Sequence, residues 1–253
     1  MTILEVSNLT KYFGGLRALN NIDIKVEAGE LVGLIGPNGA GKSTLFSVLT
    51  GMIRPTSGRI FFQNEDVTGL KPHKIAERGL VKTFQEANLF KNLSVLENVQ
   101  IGCHVPARDN WFRDMFGAPI SRSKGGEAQR KADEIIRLAG LETVSGELAR
   151  NLPHGYQRSL GIAIALAAEP KFLCLDEPVT GMNVEEIRFM MELIKRIRRQ
   201  GITIMLVEHT MRVVMGICDR IVVLNFGNKI AEGIPEEIQT DEAVIEAYLG
   251  RAE

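Results

Sequence analysis

One octapeptide constrains this chain more than anything else in it. Gly36-Pro37-Asn38-Gly39-Ala40-Gly41-Lys42-Ser43 fits the phosphate-loop pattern G-x-x-x-x-G-K-[ST]. Residues 30–35 before it read as a buried strand, and residues 44–49 after it, opening on Thr44, read as a helix start. That strand–loop–helix context is what the motif requires. Glycines let the backbone approach a polyphosphate and turn several N–H groups toward it. The helix N-terminus adds its positive end. In such a loop Lys42 reaches the β- and γ-phosphates, and the Ser43 hydroxyl ligates Mg²⁺.

The rest of the chain is read around that loop. With 253 residues it can bury a sizeable core. A net charge of −1 argues against a broad nucleic-acid footprint. Cys103, Cys174 and Cys218 follow no metal spacing and suit a reducing compartment, with Cys174 a buried thiol in an apolar strand. The start, Met1-Thr2-Ile3-Leu4-Glu5, meets an acid at once and does not read as a signal peptide. The longest apolar run is about half of what a spanning helix needs, so the chain is expected to dock onto a membrane protein rather than cross the bilayer.

Residues 3–9, 22–26 and 58–62 alternate apolar and polar, which predicts half-exposed antiparallel strands beside the loop. Residues 80–84 predict a strand leading to Gln85. The pattern then turns helical. Ser94 and Glu97 form a capping box, and residues 127–139 carry an apolar stripe (Ala128, Ala132, Ile135, Ile136, Ala139) that Gly140 terminates. Between them, Trp111, Phe112, Met115 and Phe116 lie among arginines, a cluster expected to pack on its own domain or a partner. After residue 168, strands at 172–175, 202–207 and 220–224 alternate with helices at 185–199 and 211–216. This alternation implies a parallel sheet covered by helices. Residues 225–228 predict a turn, and residues 241–249 a short amphipathic helix. The expected architecture is α/β: a phosphate-loop core with a mostly parallel sheet, an antiparallel β-lobe, and an inserted helical lobe at 88–168, with 1–87 and 169–253 forming core and β-lobe.

Further residues complete a hydrolytic set. Asp176 and Glu177 end an apolar strand; the first suits Mg²⁺ and the second suits polarising water. Gln85, a neutral amide after a strand, suits contact with Mg²⁺ or water. His209 follows the strand at 202–207 and suits a γ-phosphate oxygen. Thr210 behind it is a suitable N-cap.

The order of these motifs resembles the ATP-binding subunit of an ABC transporter over essentially the whole chain. The resemblance implies ATP and Mg²⁺ as ligands, with Phe13 stacking on adenine (Tyr12 being the alternative) and Gln85 coupling the nucleotide to a membrane subunit. It implies that Leu152, Pro153, His154, Gly155 and Tyr156 form the signature loop, which reaches the ATP of a second subunit. Gly181, Met182 and Asn183 fall in the D-loop, and His209 is the switch histidine. Pro153, Tyr156 and Asn183 depart from the family's Ser, Gln and Asp; the hydroxyl donor lost at Pro153 is expected to weaken a site rather than abolish it. The stretches Phe13-Gly14-Gly15-Leu16-Arg17-Ala18-Leu19, Lys82-Thr83-Phe84-Gln85 and Ala247-Tyr248-Leu249-Gly250 look like the longer ATPase of branched-chain amino acid importers. The partners so implied are integral membrane permease subunits, a second ATPase subunit (the same or a related chain) and, indirectly, a solute-binding protein outside the membrane, with no nucleic acid. The implied location is the cytoplasmic face of the plasma membrane. ATPases for urea or short amides and for lipopolysaccharide export are similar, and a soluble ABC ATPase or a regulatory subunit that barely hydrolyses are the readings from other classes.

Overall fold

The computed structural model describes residues 1–83, 89–103 and 122–249. The elements run β1 (Thr2–Phe13), β2 (Leu16–Glu27), β3 (Leu31–Ile35), α1 (Lys42–Leu49), β4 (Ser57–Phe62), β5 (Glu65–Asp66), α2 (Pro72–Ala76), β6 (Leu80–Lys82) and α3 (Val95–Cys103). They continue with α4 (Arg122–Ala139), α5 (His154–Ala167), β7 (Phe172–Asp176), α6 (Val184–Arg199), β8 (Thr203–Val207), α7 (Met211–Ile217), β9 (Arg220–Asn225), β10 (Asn228–Gly233), α8 (Pro235–Thr240) and α9 (Glu242–Leu249).

Two sheets carry the fold. A four-stranded antiparallel sheet has the order β2-β1-β4-β5, and a six-stranded sheet has the order β10-β9-β3-β8-β7-β6. The second sheet is parallel except for β10, which pairs antiparallel with β9. Every residue of β3, β7 and β8 is buried, as expected of parallel strands covered on both faces. Alternate residues divide between two cores. Leu31, Ile35, Leu173, Leu175, Ile204 and Leu206 face the helices, while Val32, Leu34, Phe172, Cys174, Met205 and Val207 face α1 and the antiparallel sheet. A period of two thus builds one core on each side of one sheet. The α/β class with a β-lobe and added helices is the architecture the sequence implied.

Local signals fix the helices. Ser94 Oγ accepts from the Glu97 N–H at 3.2 Å, and the Glu97 carboxylate accepts from the Ser94 N–H at 2.7 Å. That reciprocal box opens α3 and holds the Glu97 carboxyl below its ordinary range. The stripe on α4 is buried at Ala132, Ile135, Ile136 and Ala139, and α3, α4 and α5 pack on one another. Helix α6 buries Met190, Leu193, Ile194 and Ile197, one face of a 3.6-residue period.

Some expectations needed adjustment. Strands β1 and β2 run well past 3–9 and 22–26, because the hairpin continues to the Gly14-Gly15 turn. Strand β6 is assigned only to Lys82, and Phe84 and Gln85 lie outside the described residues, as do Trp111, Phe112, Met115 and Phe116. The turn at 225–228 is a two-residue hairpin with left-handed φ at Phe226 (43°) and Gly227 (77°), the form that matches strand twist. Its second arm, β10, was not foreseen, nor were α2 and α8. Cys174 is the buried thiol expected, and burial pushes it up to about 12.

Candidate active site

Strand β3 delivers the chain into the phosphate loop, and α1 carries it away. Gly36 has φ 147°, and a Cβ there would lie 2.0 Å from the Leu224 carbonyl oxygen of β9. Gly41, the N-cap of α1, has φ 107°, and its Cβ would meet the Ala18 carbonyl at 2.7 Å. No other side chain fits either position. The β9–β10 turn braces the loop, with the Gly227 N–H donating to the Ala40 carbonyl at 3.0 Å. The Tyr248 phenol of α9 also lies against it. Burial raises its pKa, and the Gly36 backbone opposes that shift. The C-terminal segment therefore reaches the phosphate loop, a contact with no signal in the local sequence.

Lys42 is the first residue of α1. Its ammonium donates to the Gly36 and Pro37 carbonyls at 2.6 and 3.0 Å. Burial lowers its pKa, while the Glu177 and Asp176 carboxylates oppose that shift. Both acids at the end of β7 therefore act on the phosphate-loop lysine. Pro37 is half-buried, Asn38, Gly39 and Ser43 are exposed, Ala40 is buried, and Thr44 is half-buried.

Asp176 is buried, and its Oδ2 lies 2.8 Å from the Lys82 ammonium. Glu177 has a left-handed φ of 47°, costly for a residue with a Cβ. Its N–H donates to the Val207 carbonyl at 2.9 Å, and its Oε2 accepts from the Thr180 hydroxyl at 3.2 Å. Across the sheet end, His209 Nδ1 lies 3.9 Å from Glu177 Oε1, with the imidazole largely exposed. The fold thus gathers Lys42, Asp176, Glu177 and His209, residues far apart in the chain, at the C-terminal ends of β3, β7 and β8. A parallel α/β sheet places its ligand site at that edge.

Glu208 was missed. It is 1% exposed. Its carboxylate accepts from the N–H groups of Val179 (3.1 Å), His209 (3.1 Å) and Thr210 (3.2 Å). It ties the turn after Glu177 to the segment that carries His209. The signal available was an acid directly between an apolar strand and His209. Thr210 does sit at the N-cap of α7, but its side chain makes no capping bond. The expectation of a Thr210 cap is corrected accordingly, since the Val213 N–H that its hydroxyl would accept donates to the Thr210 backbone carbonyl at 2.8 Å.

Phe13 and Tyr12, at the end of β1, are 45% and 42% exposed, so both rings are open to a ligand. The Lys11 ammonium lies 5.0 Å from the Phe13 centroid. Leu152 is buried, while Pro153 and His154 are exposed and open α5. Gly155 and Tyr156 follow in its first turn. A Cβ on Gly155 would meet Glu186 Oε1 at 2.8 Å, and one on Gly181 would meet His154 Cε1 at 3.5 Å. Residues 152–156 therefore pack on the 181–186 segment. Within that segment, Asn183 caps α6 by accepting from the Glu185 and Glu186 N–H groups, and Glu186 returns a bond to the Asn183 N–H at 2.9 Å. Met182 is half-buried beside it.

Among the described residues no cluster of three or more His, Cys, Asp and Glu forms a metal cage. No helix among them is long and apolar enough to cross a membrane.

Comparison with known proteins agrees with this geometry. The family described as ABC transporter matches residues 19–180, and the one described as branched-chain amino acid ATP-binding cassette transporter matches residues 228–253. The chain is 42% identical to the high-affinity branched-chain amino acid transport ATP-binding protein BraF of Pseudomonas aeruginosa, over 99% of this chain and 98% of that protein. It is 41% identical, with the same coverage, to LivG of Escherichia coli K12, which carries the same description. The crystal structure of a nucleotide-free ATP-binding cassette from an ABC transporter superposes with a TM-score of 0.86 at 32% identity, covering 99% of this chain and 100% of that one. With a phosphate loop, paired acids and a histidine gathered at one sheet edge, and with likeness along nearly its full length, this chain belongs to the ABC transporter family of ATP-binding proteins.

Proposed function

We propose that this chain is the ATP-hydrolysing subunit of an importer for branched-chain amino acids, bound to permease subunits at the cytoplasmic face of the membrane. The observation that carries the reading is the convergence of Lys42, Asp176, Glu177 and His209 on the phosphate loop. The names of the relatives along the whole length support the cargo.

The backbone N–H groups of residues 38–44 bind the β- and γ-phosphates, and the Lys42 ammonium exchanges its loop carbonyls for phosphate oxygens. Phe13, or else Tyr12, stacks on adenine. Glu177 takes a proton from water as that water's oxygen bonds to the γ-phosphorus and the bond to the ADP oxygen breaks. His209, close to the same carboxylate, orients the water and donates to a γ-phosphate oxygen. The hard oxygen donors Ser43 and Asp176, with Gln85, would hold Mg²⁺. So sparse a protein contribution suits an ion that keeps water and phosphate as its other ligands. When bound, that ion neutralises charge on the β- and γ-oxygens. Residues 152–156, which include the N-terminus of α5, serve the nucleotide of a second ATPase subunit, the same chain or a related one. The packing of Gly155 and His154 on 181–186 links that loop to the D-loop segment. A solute-binding protein on the far side of the membrane delivers cargo to the permease.

The test is uptake by vesicles containing this chain with its permease subunits and solute-binding protein. ATP-dependent accumulation of leucine, isoleucine or valine, lost in Lys42→Ala, is expected. Accumulation of urea or a short amide instead would overturn the cargo assignment.

A further inference from the structure

Lys82 has no task in the reading above. It ends β6, in register with Cys174 of β7. Its ammonium is 2.8 Å from Asp176 Oδ2, and the two side chains are only 11% and 6% exposed. The ammonium also lies 5.6 Å from the ring centroid of Phe46, a fully buried residue of α1. The cation is therefore set between the carboxylate at the end of β7 and the helix that Lys42 and Ser43 open. Taking an ammonium out of water is costly unless a fixed counter-charge and good geometry compensate. At this strand end Asp176 supplies both.

The pairing has a consequence for the metal. Asp176 and Glu177 bring two negative charges toward the phosphate loop, and Lys42 and Lys82 bring two positive ones. A divalent cation approaching the protein alone meets two ammonium groups beside these two acids, with one Asp176 oxygen already engaged. Nucleotide phosphates change that balance.

We propose that Lys82 is a positioning and charge-balancing residue of the metal carboxylate: it anchors Asp176 through Oδ2 and offsets its charge, so that Mg²⁺ is held only together with the nucleotide's phosphates. The inference rests on the reading of Asp176 as a metal carboxylate. A merely structural role, fastening β6 to β7, would change stability without changing affinity for Mg²⁺.

The experiment is calorimetric titration of the full chain with magnesium chloride in the absence of nucleotide, alongside thermal unfolding with and without the metal. Lys82→Met leaves a buried carboxylate without its cation. Its Mg²⁺ dissociation constant is expected to be at least about tenfold tighter than that of the unmodified chain, and Mg²⁺ should raise its unfolding temperature more. Lys82→Arg should keep the weak binding. Lys82→Gln provides the same comparison if the methionine variant folds poorly. The double variant Lys82→Met/Asp176→Asn should return to weak binding. Mg²⁺ binding by Lys82→Met no tighter than by the unmodified chain would overturn the proposal, as would tight binding that survives in the double variant. Asp176→Asn alone separates the two levels of the argument, through the Mg²⁺ dependence of ATP binding. If that dependence is unchanged, the metal reading of Asp176 fails. If it weakens while Lys82→Met binds Mg²⁺ no tighter, only the role of Lys82 fails.

Discussion

Replacing Glu208 with alanine removes a buried acceptor that serves three backbone donors at once. Hydrogen bonds to a charged group contribute about 1.5–3 kcal/mol each, and a buried donor left without a partner costs about 1–3 kcal/mol. The three do not add in full. His209 is exposed and Thr210 half-buried, so their N–H groups lie nearer to water than that of Val179, which is 2% exposed. The expected loss is about 3–5 kcal/mol, a large share of the roughly 5–15 kcal/mol that holds a domain together. Glu208→Gln keeps one acceptor oxygen but turns an NH₂ group toward donors at the other end, so about half that loss is expected. Urea unfolding followed by circular dichroism measures both. Because Glu208 joins the turn after Glu177 to the segment carrying His209, ATP turnover in the folded fraction should fall as well. An alanine variant within about 1 kcal/mol of the unmodified chain, with unchanged turnover, would refute the reasoning, since that is how replacement of a surface carboxylate usually behaves.

Other outcomes follow from the same structure. Gly155→Ala places a Cβ 2.8 Å from Glu186 Oε1, the end of a flexible side chain that can swing aside by giving up its bond to the Asn183 N–H, while alanine in a helix is favoured over glycine by about 0.5–1 kcal/mol; the two effects offset, so a thermal unfolding midpoint close to that of the unmodified chain is expected, and a loss above about 2 kcal/mol would contradict it. Burial raises the Cys174 pKa from 9.0 to about 12, so between those values the unfolded chain loses a proton that the folded one keeps, and stability falls as pH rises. Cys174→Ala should remove that part of the slope, which unfolding midpoints at pH 8 and at about pH 10.5 would reveal.

Much of the architecture was legible because strand and helix periods are local. Residues 172–175 and 202–207 announce buried parallel strands by their mostly apolar runs, and 185–199 announces a helix. The phosphate loop was legible for a related reason: its glycines answer to backbone geometry, and the 2.0 Å approach of a Gly36 Cβ to Leu224 is what the sequence pattern encodes. Strand β10 was not legible. Asn228-Lys229-Ile230-Ala231-Glu232-Gly233 is a half-buried edge with little alternation, specified mainly by the left-handed turn before it. Helix α2 is too short to show a period, and Pro72 at its first turn reads equally as a loop. At the site, Glu208 and Lys82 escaped notice because their partners lie across the sheet. A buried carboxylate and a surface one look alike in a sequence. Asn183 illustrates the reverse: the sequence marks it only as a departure from a family pattern, and the structure gives its amide a local task, capping α6.

The central claim is that Glu177 is the base for ATP hydrolysis at the gathered site. It is tested most directly by the turnover of purified Glu177→Gln measured together with the nucleotide it retains. A general base contributes about 10²–10⁴-fold. The account therefore predicts that ATP still binds while phosphate release falls by at least about 100-fold. Turnover within about twofold of the unmodified chain would be too small a change for a lost general base and would contradict it.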